Sequence, residues 1–487
     1  MKITLISFDE ELYCLGIRIL SSCLRQAGHE VQLIFLPPIT NPKEKKFIFK
    51  YTKDLLRALL QQCKGSDILG MSLMTNQFIL AMEVTKFLKN NHITAPIIWG
   101  GIEPTVEPEE CIKIADIVCI GEAEAAIVEL AGRIEQGKSF LDVKNFWFKD
   151  KGNIIRNEVR PLEQNLDKLS FPDYSCEDHF LGYGNTMESL TKEKLINFPG
   201  ERFSAKNGKI RYPVMTSRGC PFACTYCCNS VYRKIYPGQK LLRWRTQEHV
   251  IKELCMVRDK LARLDMVFFV DDNFTGRANI DLQEFCSNYA KHIGVPFFAQ
   301  VSPLTVDKEK LEILFKYGCI KITMGVETGS ERVAAMYNRK HFHKAVPGAI
   351  KFIEEYRPQM SLPPTYQFII DNPFESQEET LKTLHLAISL PRPWNNPIYS
   401  LMLFPGTELY DKAVQAQMIR DKYNQIYAKN WVEQSNPYLQ LWIKLYRNNF
   451  PRIFLHFLII PLIVKLGMSK PVSAVLRMKI LKKWICI

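Results

Sequence analysis

From its first residue the chain sets short apolar runs between amphipathic stretches. MKITLISF alternates into a strand, Leu15 to Ala27 has helical spacing and stops at Gly28, and HEVQLIFL reads as a second strand. A Leu-rich helix over Leu55 to Gln62 follows, then strand DILGMSL, a helix over Phe78 to Asn90 and strand APIIWGG. A helix over Pro108 to Ala115, strand DIVCIGE and a helix over Ala123 to Gln136 complete the series. Five strand–helix alternations in about 140 residues are the pattern of a doubly wound parallel sheet, so residues 1–137 are expected to form a Rossmann-like α/β domain. Ligands of such sheets sit beyond the carboxyl ends of the strands. Here those ends carry Ser72-Leu73-Met74-Thr75, Gly100-Gly101 and Gly121-Glu122.

The periodicity weakens over residues 138–211, which are expected to be a linker, and NFPGERFSAKNGKIRYP within it reads as a loop. A second alternation then begins. Strands are expected at YPVMTS, MVFFVDD, PFFAQVS, CIKITMGVE, TYQFIID and PIYSLML, with helices between them such as Glu248 to Leu264 and Lys308 to Tyr317. Six strand–helix units predict a partial (β/α)6 barrel of the TIM type over residues 212–420. Barrel sites lie where strands end, and a cluster of cysteines sits just past the first of these strands. No short-period repeat or low-complexity tract is present in the sequence.

Composition adds little until the cysteines and the charge are placed. The 487 residues are 47% hydrophobic and 24% charged, an ordinary balance for a folded protein. MKITLISFDEELY lacks the apolar run and cleavage site of a signal peptide, so a reducing, cytoplasmic setting is expected. There, clustered cysteines point to metal or redox chemistry, while the scattered Cys23, Cys111, Cys255, Cys286 and Cys319 are expected as small buried hydrophobes. The net charge of +13 is concentrated at one end: after Glu433 there are nine Lys or Arg and no Asp or Glu. Residues 421–487 are expected to be helical. Ile453 to Val464 are strongly apolar, though His456 and Pro461 interrupt them, and the stretch is shorter than the roughly 20 residues of a membrane span. With Lys444, Arg447, Arg452, Lys465 and Lys470 around it, this stretch suits contact with an anionic membrane at its inner face, and equally a helical cap over the barrel. Its many Leu, Ile, Val and Trp residues argue against nucleic acid.

The cysteine cluster has the spacing Cys220-x3-Cys224-x2-Cys227, with Cys228 adjacent. Structural zinc takes four ligands, usually as two separated pairs, and no second pair lies nearby in the sequence. Cys228 directly follows Cys227 and is expected to point elsewhere. An iron–sulfur cluster takes thiolates at its irons. Three cysteines on a four-iron cluster leave one iron open to a substrate or cofactor.

This run, with Tyr226 before its last cysteine, resembles the radical S-adenosylmethionine (SAM) superfamily. The resemblance extends over residues 212 to 415. Phe269-Val270-Asp271-Asp272-Asn273-Phe274 is similar to the family's second-strand motif, Gly325-Val326-Glu327-Thr328-Gly329-Ser330 to a strand motif that contacts SAM, and Phe404-Pro405-Gly406-Thr407 to a late-strand motif. One motif departs: where the family often has Gly-x-Pro-x-Glu-Thr, this chain has Asp371-Asn372-Pro373-Phe374-Glu375-Ser376. By resemblance, Cys220, Cys224 and Cys227 hold a four-iron four-sulfur (4Fe-4S) cluster, and Tyr226, Asp271 and Glu327 lie on the SAM side. SAM would bind the fourth iron and be cleaved to a radical that takes a hydrogen from an unactivated carbon, with the electron coming from a donor such as flavodoxin or ferredoxin.

The N-terminal domain resembles the cobalamin-binding domain of one branch of that superfamily. The matching pieces are Leu15-Gly16, Ser72 to Thr75, Gly100-Gly101 and Gly121-Glu122-Ala123-Glu124, the last usually Gly-Glu-Gly-Glu. The resemblance implies that Gly16, Ser72, Thr75, Gly100, Gly101, Gly121 and Glu122 contact cobalamin, small residues letting the backbone approach a flat macrocycle. Cobalamin domains that ligate cobalt carry Asp-x-His-x-x-Gly; here Glu11-x-Tyr13-x-x-Gly16 puts tyrosine in place of histidine. Glu177-Asp178-His179-x-x-Gly182 repeats the string outside the domain and is read as coincidence. The implied activity is anaerobic C-methylation of a small-molecule or lipid-like substrate. Radical cyclisation, ring rearrangement or oxidation without methyl transfer is the alternative, and a non-catalytic cobalamin or redox sensor would not need the SAM-side motifs. No residue is singled out as a catalytic acid or base.

Overall fold

The computed structural model describes residues 1–41, 46–48, 50–198, 209–393, 396–429 and 434–477. Much of the expected NFPGERFSAKNGKIRYP loop, residues 199–208, lies outside them, as do the last ten residues of the tail. The chain forms two compact units: Met1–Phe222 with Tyr226–Phe268 and Phe404–Lys429, and Ala223–Thr225 with Phe269–Leu403 and Asn430–Ile487.

The first unit is built on a nine-stranded sheet. Its parallel centre places Lys2–Ser7 between Glu30–Phe35 and Ile68–Ser72, followed outward by Ile97–Gly100 and Ile117–Cys119. These strands read as continuous apolar runs because both faces are covered, and Ile3, Ile6, Val31, Leu69, Ile97 and Trp99 are all buried. Helices Leu15–Gln26, Lys53–Cys63, Phe78–Asn90 and Glu124–Glu135 follow the expected spacings to within a few residues, and Thr52 caps the second by accepting from the Leu55 amide. In sheet order the five parallel strands run 2-1-3-4-5 by sequence. The winding therefore reverses between Lys2–Ser7 and Ile68–Ser72, and the crevice beyond their carboxyl ends is the natural ligand site.

The expected linker is part of this sheet. Phe146–Asp150 and Asn153–Arg156 add an antiparallel hairpin at one edge. His179–Tyr183 pairs in parallel with Glu30–Phe35 at the other edge, with Thr186–Ser189 outside it. The first hairpin turns on Lys151 and Gly152, at φ 46° and 84°. Positive values at both positions are those of a type I′ turn, whose twist matches the strands it joins.

Two residues from the ligand-like strings are core residues. Tyr13 is buried, its ring 6.0 Å from Tyr174 and 6.4 Å from Tyr212. Burial pushes its phenol up to about 12. Below it the fully buried Arg18 donates to the Leu12 carbonyl and lies 4.4 Å over the Tyr174 ring. His179 is likewise buried, with Nε2 3.2 Å from Asp173 Oδ2. Asp173 also accepts from Ser21 Oγ at 2.7 Å and from the Ser175 amide and hydroxyl, and pairs with Arg25 at 3.1 Å.

The second sheet takes six strands in chain order: Arg211–Val214, Met266–Phe269, Phe297–Val301, Cys319–Glu327, Thr365–Ile370 and Ile398–Ser400. All six coincide with the expected barrel strands, and the last four pair in parallel. In the second unit Phe269 stacks on Phe274 at 4.5 Å, with Phe285, Tyr289 and Phe297 edge-on around it. Phe404–Lys429, expected to close the barrel and open the tail, instead clusters with the N-terminal domain. Tyr427 stacks on Phe78 at 4.0 Å and Lys422 pairs with Glu107 at 3.0 Å. Cys111, Cys286 and Cys319 are buried, and Cys23 and Cys255 are half-buried. Among the described residues no helix is long and apolar enough to cross a membrane.

Burial would raise Asp173, but the hydrogen bond and charge of His179 and the Ser175 donors overcome it and hold the carboxyl well below its ordinary 3.8. Asp173→Asn is expected to destabilise the protein by about 3 kcal/mol, the usual cost of breaking a buried pair. A depressed carboxylate stabilises above its unfolded value and loses that effect as pH falls toward the native one. The gap between wild type and variant in urea unfolding should therefore hold from pH 7 to 8, where His179, lowered from 6.5 by burial, is neutral. It should shrink below the ordinary 3.8.

Candidate active site

The reversal point of the first sheet is lined by polar groups that the sequence pattern did not single out. Asp9, just past Lys2–Ser7, accepts from Gln77 Nε2 at 2.9 Å and Ser7 Oγ at 3.0 Å, and burial raises its carboxyl. Gln77 Oε1 in turn accepts from the Met74 amide at 2.8 Å, which holds the turn after Ser72 and leaves the Met74 side chain 44% exposed at this edge. Gly101 has φ 99°, and a methyl in place of its hydrogen would lie 2.7 Å from the Leu73 carbonyl oxygen. Gly121 has φ 77°, and a methyl there would meet Tyr236 Oη at 1.8 Å. The phenol occupies the space that a side chain would fill, and its oxygen accepts from the Glu122 amide at 3.3 Å. Ser72 and Gly100 pair with each other at the strand ends.

Deeper in the same unit lies a group of buried oxygens. Glu103 is fully buried, on the short helix Ile102–Val106 that follows Gly101. Among the described residues, neither Glu103 carboxylate oxygen, nor Thr75 Oγ1, nor Tyr427 Oη has a hydrogen-bond partner of good geometry. Desolvation is the main cause lifting Glu103 to about 7; its polar neighbours Thr75 and Tyr427 pull the other way, as does Lys422, while Glu107 adds to the rise.

Glu122 and Glu124 form an ion-pair clamp. Glu122 receives both Arg243 guanidinium nitrogens, at 3.0 and 2.5 Å, and Arg218 at 3.4 Å; Glu124 receives Arg218 at 2.6 Å. The two arginines lie on a two-stranded ribbon, Ser217–Arg218 with Arg243–Trp244, that frames the cysteine loop in sequence. Glu122 was expected at a cofactor; the structure gives its carboxylate to this clamp, which the Gly-Glu-x-Glu pattern alone did not reveal. Beside it a cavity of about 70 Å³ is lined by Leu15, Gly16, Met215, Ser217 and Arg218.

The cysteine loop leaves the ribbon at Gly219, φ 81°, where any side chain would strike the Leu241 carbonyl. Arg233 Nη2 donates to the Cys220 carbonyl at 2.9 Å. Cys227 sits at the N-terminus of helix Cys228–Ile235, with Asn229 Nδ2 3.7 Å from its sulfur. Tyr226 is half-buried. In the second unit Ala223–Thr225 are pinned by Asn338 Nδ2 to the Ala223 carbonyl and by the Thr225 amide and hydroxyl to the Tyr337 and Met336 carbonyls. Cys224 is buried, and Arg339, 8% exposed, donates Nη1 to its sulfur at 3.5 Å and Nη2 to the Gly325 carbonyl at 2.8 Å. Among the described residues no three His, Cys, Asp or Glu side chains converge as ligands of one metal ion would. A four-iron cluster takes each thiolate on a different iron, so its cysteine sulfurs need not meet.

Glu327 and Asp371 end neighbouring strands of the second unit, and both have left-handed backbones, at φ 73° and 62°. Such strain in a non-glycine residue is characteristic of ligand-holding sites. Asp371, at the usual glycine position, is held there by accepting the Ser435 amide at 2.7 Å. Gly329 packs against Lys382, where a methyl would lie 2.4 Å from the carbonyl oxygen, and its amide donates to Thr383 Oγ1 at 3.0 Å. Asp271, expected on the SAM side, is turned inward and fully buried, its charge opposing the fall that burial causes in Arg277. Asp272 is the exposed member of that pair.

Residues 1–131 match the B12 binding domain family, and residues 214–387 match the Radical SAM superfamily. An uncharacterised methyltransferase of Pyrococcus horikoshii is 25% identical over 413 residues, covering 83% of this chain and 79% of that one. An anaerobic magnesium-protoporphyrin IX monomethyl ester cyclase of Rubrivivax gelatinosus is 23% identical over 82% of this chain and 66% of its own. The radical SAM methyltransferase TsrM of Kitasatospora setae, solved with tryptophan and a SAM analogue, superposes with a TM-score of 0.64 at 14% identity over 85% of this chain and 76% of its own. That likeness is one of fold. The residues present fit the cofactors these families use: three thiolates with a buried guanidinium on one of them, and a crevice edged by left-handed glycines with buried oxygens open to a partner.

Two outcomes follow. Glu103 lifted from 4.5 to about 7 implies a native state that holds its proton between those values, so stability falls as pH rises from 4.5 to 7 and is level above. In apoprotein unfolding, Glu103→Gln should therefore gain on wild type by up to about 3 kcal/mol between pH 5 and pH 8; a constant gap would overturn this protonation. Arg339→Gln removes a cationic donor from Cys224, so the reconstituted cluster should be harder to reduce, read as a more negative midpoint in an EPR-monitored redox titration.

Proposed function

Because the chain belongs to the radical SAM enzymes that carry a B12 binding domain, we propose that it transfers a methyl group to an unactivated carbon of a small-molecule or lipid-like substrate. The observation that carries this reading is the clamp of Glu122 and Glu124 on Arg218 and Arg243. It ties the edge of the B12-type sheet to the two strands that frame the cysteine loop, all within one compact unit. An enzyme that passes a group between two cofactors needs their loops held in fixed register. When bound, the cluster and SAM supply the radical that takes a hydrogen from carbon, and cobalamin supplies the methyl group.

In this reading Cys220, Cys224 and Cys227 hold the cluster, and Cys228, already in the following helix, is not a ligand. Arg339 stabilises the Cys224 thiolate and braces the Gly325 carbonyl. Tyr226, Glu327 and the Gly325–Ser330 turn take SAM, with Glu327 offering a carboxylate to its ribose or ammonium. Gly16, Ser72, Thr75, Gly100, Gly101 and Gly121 take cobalamin, and Met74 supplies an exposed apolar contact for the corrin plane. Tyr13, which stands where cobalt-ligating domains carry histidine, is held in the core and would offer a bound cobalamin no imidazole. A flavodoxin- or ferredoxin-type protein delivers the electron. The second reading, cyclisation or oxidation without methyl transfer, is favoured by the cyclase of Rubrivivax gelatinosus among the relatives.

The test uses anaerobically reconstituted holoenzyme with dithionite and SAM. Methyl transfer predicts 5′-deoxyadenosine together with S-adenosylhomocysteine stoichiometric with bound cobalamin, even without substrate. Deoxyadenosine alone would favour the second reading. The Cys220→Ala/Cys224→Ala/Cys227→Ala variant should lose deoxyadenosine and keep the cobalamin spectrum.

A further inference from the structure

The described part of the basic tail folds as four short helices in the second unit: Pro437–Arg447, Arg452–Leu458, Pro461–Gly467 and Lys470–Arg477. Pro451, Pro461 and Pro471 stand at or next to the starts of the last three. Proline is accepted at a helix start and breaks a helix interior, so the chain restarts a helix every nine residues instead of running on as one long helix.

The inner face of these helices is fully used. Leu455, Ile459 and Val464 are buried. Trp442 Nε1 donates to the Leu455 carbonyl at 3.1 Å and Tyr438 Oη to the Leu458 carbonyl at 2.5 Å. The close seat of Gly467 on Tyr438 leaves no room for a side chain. The outer face is apolar as well. Ile453 is 83% exposed, Leu462 67%, Leu466 60% and Phe457 54%. Large apolar side chains exposed on two successive helices, over a satisfied inner face, mark a contact surface rather than unfinished packing.

Charge decides the occupant. From Gln434 to Arg477 there are six Lys or Arg and no Asp or Glu, and Lys465 and Lys470 stand exposed among the apolar residues. Short amphipathic helices with outward Ile, Leu and Phe and flanking cations match the interface of an anionic bilayer: side chains for the acyl boundary, ammonium groups for the phosphates. We infer that residues 450–477 dock this protein on an anionic lipid surface. This goes beyond the catalytic reading and stands whether or not that reading holds.

The experiment is flotation of full-length, cobalamin-loaded protein with vesicles of phosphatidylcholine alone or with about one-third phosphatidylglycerol. The protein should float with the anionic vesicles, less so as salt rises, and not with the neutral ones. The variant Ile453→Ser/Phe457→Ser/Leu462→Ser/Leu466→Ser changes only exposed positions; it should partition at least about tenfold more weakly while keeping the wild-type circular dichroism and proteolytic resistance of the tail that report an intact fold. Lys465→Gln/Lys470→Gln should reduce the preference for anionic vesicles. The inference is overturned if wild type floats with neither vesicle or if the serine variant floats like wild type. It is also overturned if light scattering shows a wild-type dimer that the serine variant dissociates, for then a second copy of this chain covers the face.

Discussion

Two arginines and two glutamates set the register on which the site depends. Arg243 is almost wholly buried, and a buried charge without a partner costs several kcal/mol. The ribbon that carries it can therefore stay in place only where Glu122 meets it fork to fork and Glu124 takes Arg218. Gly219 follows Arg218 directly, and its left-handed turn against the Leu241 carbonyl aims the chain into the cysteine loop. The start of that loop is thus fixed by the end of a strand of the N-terminal sheet. Glu124 is held below its ordinary range by Arg218 despite burial, so the clamp stays charged under ordinary conditions.

The crevice edge obeys a second constraint, the close approach of backbone to its own protein neighbours. Gly101 and Gly121 keep left-handed conformations where side chains would collide with Leu73 or Tyr236. Polar groups complete it: Asp9 and Gln77 shape the turn behind Met74, and Glu103, Thr75 and Tyr427 bury oxygens against one another. Buried polar groups short of well-aligned hydrogen bonds are rare in folded proteins, and those of Thr75 and Tyr427 gather around Glu103.

The barrel was legible because each strand is a short, mostly apolar run between turn residues, and the three cysteines because their spacing carries its own chemistry. The parallel centre of the first sheet was legible for the same reason as the barrel. Its edges were not. FWFKD and NIIR are too short and too mixed for periodicity to stand out, and the signal that marks them is the Lys151-Gly152 turn, a weaker relative of Asn-Gly. Glu122 looked like a ligand contact because a glycine-flanked acid at a strand end fits that role as well as a clamp; only the distant Arg218 and Arg243 distinguish them. Asp271 and Asp272 are adjacent and alternate in facing, so sequence could not say which one turns inward. Phe404–Lys429 returns to the N-terminal domain through Tyr427 on Phe78, a contact between residues hundreds of positions apart that no local pattern records.

That return has a consequence for how the protein is made. A chain emerging from the ribosome folds its domains in the order they appear. Here the first unit is not whole until its last segment has been synthesised, because Phe78, Glu107 and Val106 wait for Tyr427, Lys422 and Gly406. The nascent N-terminal sheet must therefore persist with one flank uncovered while the barrel is translated. Premature termination anywhere before residue 404 would release a chain whose oldest domain still lacks its last segment.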